Sequence, residues 1–510
     1  MSIELTTRET GKVKSFYDGY CEQEISCDIN LPDYCPDIMR ILKCTVKPNI
    51  TGSKITGDRA TAEGTAKINV IYSDEKNNIF CYNTDYPFSK YVELSAPCDS
   101  ASLVTKSKVE FVNCRAVSKR RIDIHGALSI FFKVVGTSRD TVISSATGDG
   151  IQLKRKSIDT SSVTAVTDKK FQLSSVEKLS DTMPGIGKII DCTAAPIISE
   201  TRIIKGKLLI KGELAVRVIY CSDSEENATA VLTCEIPFNE IAEATDFNDN
   251  CRVNIEMQVL SLTAEPKVDN DGEYRYMNIS ADLCAGVTAY EDICANVVND
   301  AYSTQSEIDT KYTLLDFPKI STSFSDTISC KESLDLSALN PQKIYTVLVS
   351  QPDVKCRFDE GKMNISGKIS LSIVIINNEG VPVCCEREAA FEYSRSAEGD
   401  KNRLTCIPQI DISEFACNLN GNGCADFKAE LSLCATIFEN CKEKVLTSLA
   451  VCENTQKEKK SSLTIYFCSG NESLWEIARH YNTTVEDIME ENELTADCIE
   501  GKKMLMIPVK

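Results

Sequence analysis

The stretch Ala62–Tyr72, AEGTAKINVIY, returns as Ile210–Tyr220, IKGELAVRVIY, and again as Ile365–Ile375, ISGKISLSIVI. In the first copy Ala66, Ile68, Val70 and Tyr72 alternate with Lys67, Asn69 and Ile71. Leu214, Val216, Val218 and Tyr220 keep this phase in the second copy, and Ile369, Leu371, Ile373 and Ile375 keep it in the third. Apolar residues at every second position line one face of a strand, so each copy reads as a strand with one buried face.

The repeat extends outward from this strand. Pro36, Ile38, Cys44, Thr45 and Pro48 recur 148 positions later as Pro184, Ile186, Cys192, Thr193 and Pro196, with no gap through Tyr72 and Tyr220. At an offset of 303, Gly64, Ile71, Cys81, Phe88, Cys114 and Leu128 meet Gly367, Val374, Cys384, Phe391, Cys417 and Leu431. Late in the second copy the offset grows to 155, which aligns Leu128 with Leu283 and leaves the extra residues for the turn-rich Asp269–Gly272. Repeats of this kind decide an architecture. The expectation is a mainly β, multidomain chain with units at 1–150, 180–300 and 330–450. The polar stretches 136–180 and 299–330 read as linkers or peripheral elements, and 451–461, rich in Lys and Glu, reads as a linker.

Composition narrows the function. With 510 residues the chain exceeds one hydrophobic core. A formal net charge of −19 argues against nucleic acid or an anionic bilayer as partner, since both need a basic footprint. The amino-terminal stretch has no apolar signal core and no segment is long enough to span a bilayer, so a cytoplasmic protein without a transmembrane segment is expected. Twenty-five cysteines without a CxxC, and only two histidines, offer no zinc spacing. The expectation is free thiols, with Cys81 and Cys114, which recur together as Cys384 and Cys417, as buried neighbours. His125 and His480 are far apart in sequence and no nucleophile or phosphate-loop motif is present, so neither an enzyme, a cofactor nor a metal site is expected.

The last segment, 462–510, has its own pattern. Leu474, Ile477, Ala478 and Tyr481 form one helical face, Ser473 and Glu476 a capping box, and Thr484 and Asp487 the start of a second helix. Asn492 suits a helix stop. Strands near 464–468 and 503–507 would complete a small α+β module of order β-α-α-β.

Two resemblances follow from these residues. LPDYCPDIMRIL at 31–42, the AEGTAKINVIY strand, and the tripeptides at 86–88 and 236–238 resemble the SPOCS domain of spore-coat proteins. YFCSGNESLWEIARHYNTTVEDIMEENELTADCIEGKKMLMIP resembles the LysM domain over its whole length, with Asn471 where that family usually has Gly. The LysM resemblance implies a shallow groove formed by Glu472, Ser473, Leu474 and Trp475 with Asn492, Glu493, Leu494 and Thr495. Trp475 lies at the edge of the apolar stripe, suited either to anchor a ligand or to cover the module's core. Together the two resemble the SipL-like family of spore coat morphogenetic proteins. That implies a non-enzymatic assembly factor in the mother-cell cytoplasm, at the forespore surface, whose LysM module binds a coat-basement ATPase resembling SpoIVA. The alternative is a cell-wall or cortex protein that binds peptidoglycan or chitin-like N-acetylglucosamine polymers in the groove. Self-association is left open by the residues.

Overall fold

The computed structural model describes residues 3–98, 101–222, 228–244, 247–456, 463–468, 472–494 and 504–508. Six strands form the first repeat: β1 (Glu4–Asn30), β2 (Arg40–Thr56), β3 (Arg59–Ser73), β4 (Ile79–Glu93), β5 (Ser102–Ser118) and β6 (Arg121–Thr147). They pair as two antiparallel sheets, β1-β6-β5 and β2-β3-β4. The second repeat has the same plan in β7 (Ile151–Lys178), β8 (Ile186–Ile204), β9 (Lys207–Ser222), β10 (Thr229–Glu243), β11 (Arg252–Val268) and β12 (Tyr274–Ser303). The third uses β13 (Ser306–Asp335), β14 (Pro341–Val349), β15 (Asp353–Asp359), β16 (Lys362–Asn377), β17 (Pro382–Ser396), β18 (Leu404–Leu419) and β19 (Cys424–Gln456). There the counterpart of β2 is split into β14 and β15, both paired with β16.

The alternation of the opening stretch is burial. Ala66, Ile68, Val70 and Tyr72, with their counterparts in β9 and β16, lie inside the sandwiches. The recurrent glycine is a matter of space. Gly64 stands opposite Phe88, Gly212 opposite Phe238 and Gly367 opposite Phe391. A Cβ on any of the three would lie 2.4–2.6 Å from the phenylalanine ring and 2.1–2.6 Å from a carbonyl of the adjoining strand. Tyr72 and Tyr220 each donate a hydrogen bond to the carbonyl of Pro36 or Pro184, which explains why these residues recur together.

Ile71, Ile219 and Val374 are out of phase with the sandwich interiors and yet buried. All three sit in one apolar cluster with Leu42, Ile190 and Tyr345, another set at equivalent positions. The three repeats therefore converge on matching residues, a pseudo-threefold junction. Asn69 donates to the Ile190 carbonyl from repeat one to repeat two, Thr229 to that of Tyr345 from two to three, and Lys43 pairs with Glu386 between one and three at 2.7 Å. Register also makes Lys106, Glu256 and Gln409 equivalent. These differ in kind: Lys106 lies 3.0 Å from Glu256, and the Gln409 amide accepts from and donates to the Met257 backbone at 3.0 and 2.8 Å.

The linker expectation for 136–180 and 299–330 is corrected. The ends of β6 and β12 pair with the starts of β1 and β7, and the end of β19 with the start of β13, continuing the sandwiches as three two-stranded ribbons. Val142, Val297 and Val445 meet in one cluster, and Ile143, Val298 and Leu446 with Ala146, Ala301 and Leu449 in the next. The ribbons read as polar because only a narrow inner stripe is apolar, while Ser, and Thr with its good strand propensity, occupy much of the rest. The stretch expected as a linker at 451–461 is strand through Gln456, and its remainder lies outside the described residues.

Candidate binding module and its dock

The C-terminal module consists of β20 (Leu463–Phe467), α1 (Leu474–Tyr481), α2 (Val485–Glu491) and β21 (Met504–Pro508), the β-α-α-β order expected. Ser473 caps α1, and both arms of its capping box with Glu476 are formed, satisfying backbone donors that the helix itself cannot. Thr484 caps α2 by accepting from the Asp487 N–H at 3.0 Å. Asn492 has a structural task. Its amide donates to the carbonyls of Ile488 at 2.8 Å and Met506 at 2.6 Å and accepts from the Met506 N–H at 2.8 Å, clamping α2 to β21.

The structure assigns most of the expected groove residues to the module's own construction. Leu474 is in its core, Ser473 is a cap, Asn492 a clamp, and Leu494 packs against the same core. The Glu472 carboxylate accepts from the Tyr466 hydroxyl. Glu493 is exposed, in the left-handed region at φ 52°. Thr495 lies outside the described residues.

Trp475 covers an interface within the chain. It is 9% exposed, and its ring meets Tyr302 edge-on with centroids 4.8 Å apart. Its indole Nε1 donates to Asp300 Oδ2 at 2.8 Å, Arg479 adds two contacts at 2.9 and 3.1 Å, and the Tyr312 hydroxyl donates to Asp300 Oδ1 at 2.9 Å. Tyr302 in turn donates to the Thr483 carbonyl at 2.8 Å. Burial of Asp300 opposes its charge, but donation from Trp475 and Tyr312, with the Arg479 guanidinium alongside, holds the carboxyl below the usual range. The module is thus docked on the tip of the ribbons by one carboxylate and one aromatic pair. Asp300, Tyr302 and Tyr312 are absent from the sequence-based expectation. They lie in a polar stretch without periodic signal, and only the fold brings them to Trp475.

On the outer face of the module's sheet, Leu463, Ile465, Phe467, Met504 and Met506 are 37–73% exposed. Ile465 stands opposite Met506 and Phe467 opposite Met504, so these side chains form one patch. Elsewhere, His125 is half exposed, 3.0 Å from Asp123, and His480 is exposed with its ring against Tyr481. Among the described residues no group of three His, Cys, Asp or Glu is placed to hold a metal, and no helix is long and apolar enough to cross a membrane. The expected Cys81–Cys114 neighbours are not formed: Cys81 faces the junction of the repeats with Cys221, whereas Cys114 packs with Cys44 against the core of the first repeat.

No curated protein and no solved structure matches the chain. The family model described as "SipL, SPOCS domain" matches residues 37–117 and 185–267, which lie in the first two repeats, and the LysM domain model matches 471–508. Both are binding rather than catalytic domains, and they mark a sporulation-related protein with a module of the peptidoglycan-binding type. The chain therefore carries SPOCS domains of the SipL kind followed by a C-terminal LysM domain.

Proposed function

We propose that the chain is a non-enzymatic assembly factor of the spore envelope, acting in the mother-cell cytoplasm at the forespore surface. In this reading the three repeats form a rigid platform, and the LysM module binds a coat-basement protein, an ATPase resembling SpoIVA. The observation that carries it is the apolar patch of Leu463, Ile465, Phe467, Met504 and Met506 on the module. A contiguous exposed patch of large aliphatic and aromatic side chains suits a protein surface. The residues expected to line a sugar groove are, by contrast, largely engaged in the module's own caps, core and dock.

The test is capture of partners by the full chain from sporulating cells, beside titration with chitin oligomers. Phe467→Glu should remove capture of the coat-basement ATPase and leave the fold, followed by circular dichroism, unchanged. Tight binding of chitin oligomers with no coat protein captured would replace this reading with the glycan-binding one.

A further inference from the structure

At the junction of the three repeats, Cys81 on β4 and Cys221 on β9 lie close to each other in one buried cluster, with Lys188, the strand partner of Cys221, reaching across to Cys81. They are 3% and 7% exposed, in the cluster that holds Leu42, Ile190 and Tyr345. Cys221 Sγ lies 3.1 Å from the Tyr345 hydroxyl, and the Lys188 ammonium donates to the Cys81 carbonyl at 3.1 Å. Repeat one thus supplies one thiol, repeat two the other thiol and the ammonium, and repeat three the phenol.

Repetition does not account for this meeting. By strand register the position of Cys81 is taken by Val231 in the second repeat and Cys384 in the third, and that of Cys221 by Ser73 and Ile376. At these two positions, thiols face each other at the contact between repeats one and two. Two other neighbouring thiol pairs, Cys44 with Cys114 and Cys356 with Cys406, each lie within one repeat, so a disulfide there would tie no repeat to another.

We propose that Cys81 and Cys221 are a peroxide-responsive pair whose disulfide covalently ties the first repeat to the second. Cys221 is the attacking sulfur. Donation from the Cys81 thiol lowers its pKa against the effect of burial, and the Tyr345 hydroxyl and Lys188 act in the same direction, while the pKa of Cys81 is raised. In the first step the Cys221 thiolate bonds to one oxygen of hydrogen peroxide. The O–O bond breaks, and the departing hydroxide takes up a proton as water, leaving a sulfenic acid. Cys81 sulfur then bonds to Cys221 sulfur and the S–O bond breaks. The hydroxide leaves as water with the Cys81 proton, so two electrons have passed from the two sulfurs to one peroxide. Peroxide is small enough for so enclosed a pair, and Tyr345 is a positioning residue that orients Cys221. In a reducing compartment the thiols stay free. On exposure to oxidant the junction becomes a cross-link spanning well over a hundred residues of chain, which restricts the unfolded state strongly.

The full chain, fully reduced, is treated with graded hydrogen peroxide, unfolded, alkylated and mapped by mass spectrometry. The expected result is a peptide pair joined through Cys81 and Cys221 as the leading inter-repeat link. With it the melting temperature should rise by several degrees, reversibly with dithiothreitol. Tyr345→Phe should slow its formation several-fold. Cys221→Ser and Cys81→Val, each using the residue of another repeat at that position, should both abolish the link and the rise in melting temperature, so that either serves if the other folds poorly. Cys81 and Cys221 remaining alkylatable while other thiols are oxidised would overturn the proposal. So would a link that forms only in urea.

Discussion

The junction of the three repeats and the dock of the LysM module join parts of one chain in opposite ways. At the junction, equivalent apolar residues such as Ile71, Ile219 and Val374 close on one another with almost no water contact. At the dock the contact rests on Asp300, 22% exposed at its side chain, with Trp475, Arg479 and Tyr312 around it. Apolar closure of this extent is lost only when the fold is lost, because its stabilisation scales with area removed from water. A contact built on one partly exposed carboxylate is separable and depends on pH and salt. On these grounds the repeats are expected to hold as one body and the module to be the more separable part.

Three substitutions probe this contrast. Ile71→Asp sets an unpaired carboxylate into the junction and should destabilise the repeats by about 4 kcal/mol, as a lower denaturant midpoint of the main unfolding transition. A loss below about 1 kcal/mol would show the junction to be wet, and the repeats to be only loosely joined. Asp300→Asn removes the charge shared by Trp475, Tyr312 and Arg479 and should weaken the dock by about 2 kcal/mol without unfolding either part. Because Trp475 is the chain's only tryptophan, its emission reports the dock directly and should move to the red.

The same probe gives the pH dependence of the intact chain. The Asp300 pKa is depressed in the docked state, so its contribution is present above the undocked value of about 3.9 and is lost as pH falls through the docked value. Emission should stay constant from neutral pH to about 5 and shift to the red only below about 4. A red shift near pH 6 would mean that a different group controls the dock. Tyr302→Phe, the mildest change, keeps the ring against Trp475 but loses the bond to the Thr483 carbonyl. About 1 kcal/mol of docking should go, seen as faster proteolytic release of the module with unchanged melting of the repeats.

Much of the fold was legible because its signals are local. Strand alternation in 62–72 and its copies and the Ser473–Glu476 capping box each follow from spacings of a few residues, and both appear as read. The ribbons were not legible, since their burial is a stripe shared among three distant segments, and Ser- and Thr-rich strands resemble linkers in composition. Ile71, Ile219 and Val374 did carry a signal in their recurrence out of phase with the buried face. It marks a second contact surface without saying what covers it. Of the groove residues, the spacing identified Ser473 and Leu474 as cap and core and Asn492 as the stop of α2, while its second task as a clamp to β21 was not legible.

By itself, then, the sequence determined three β-rich repeats and a β-α-α-β module, because strand alternation and helix caps are decided by neighbours along the chain. Only the tertiary structure decided that the repeats close around matching residues, that their ends run on as a ribbon bundle, that Cys81 meets Cys221, and that Asp300 and Tyr302 take Trp475. Those contacts join residues more than a hundred positions apart, and what selects them is the shape and burial of assembled surfaces, which no local pattern encodes.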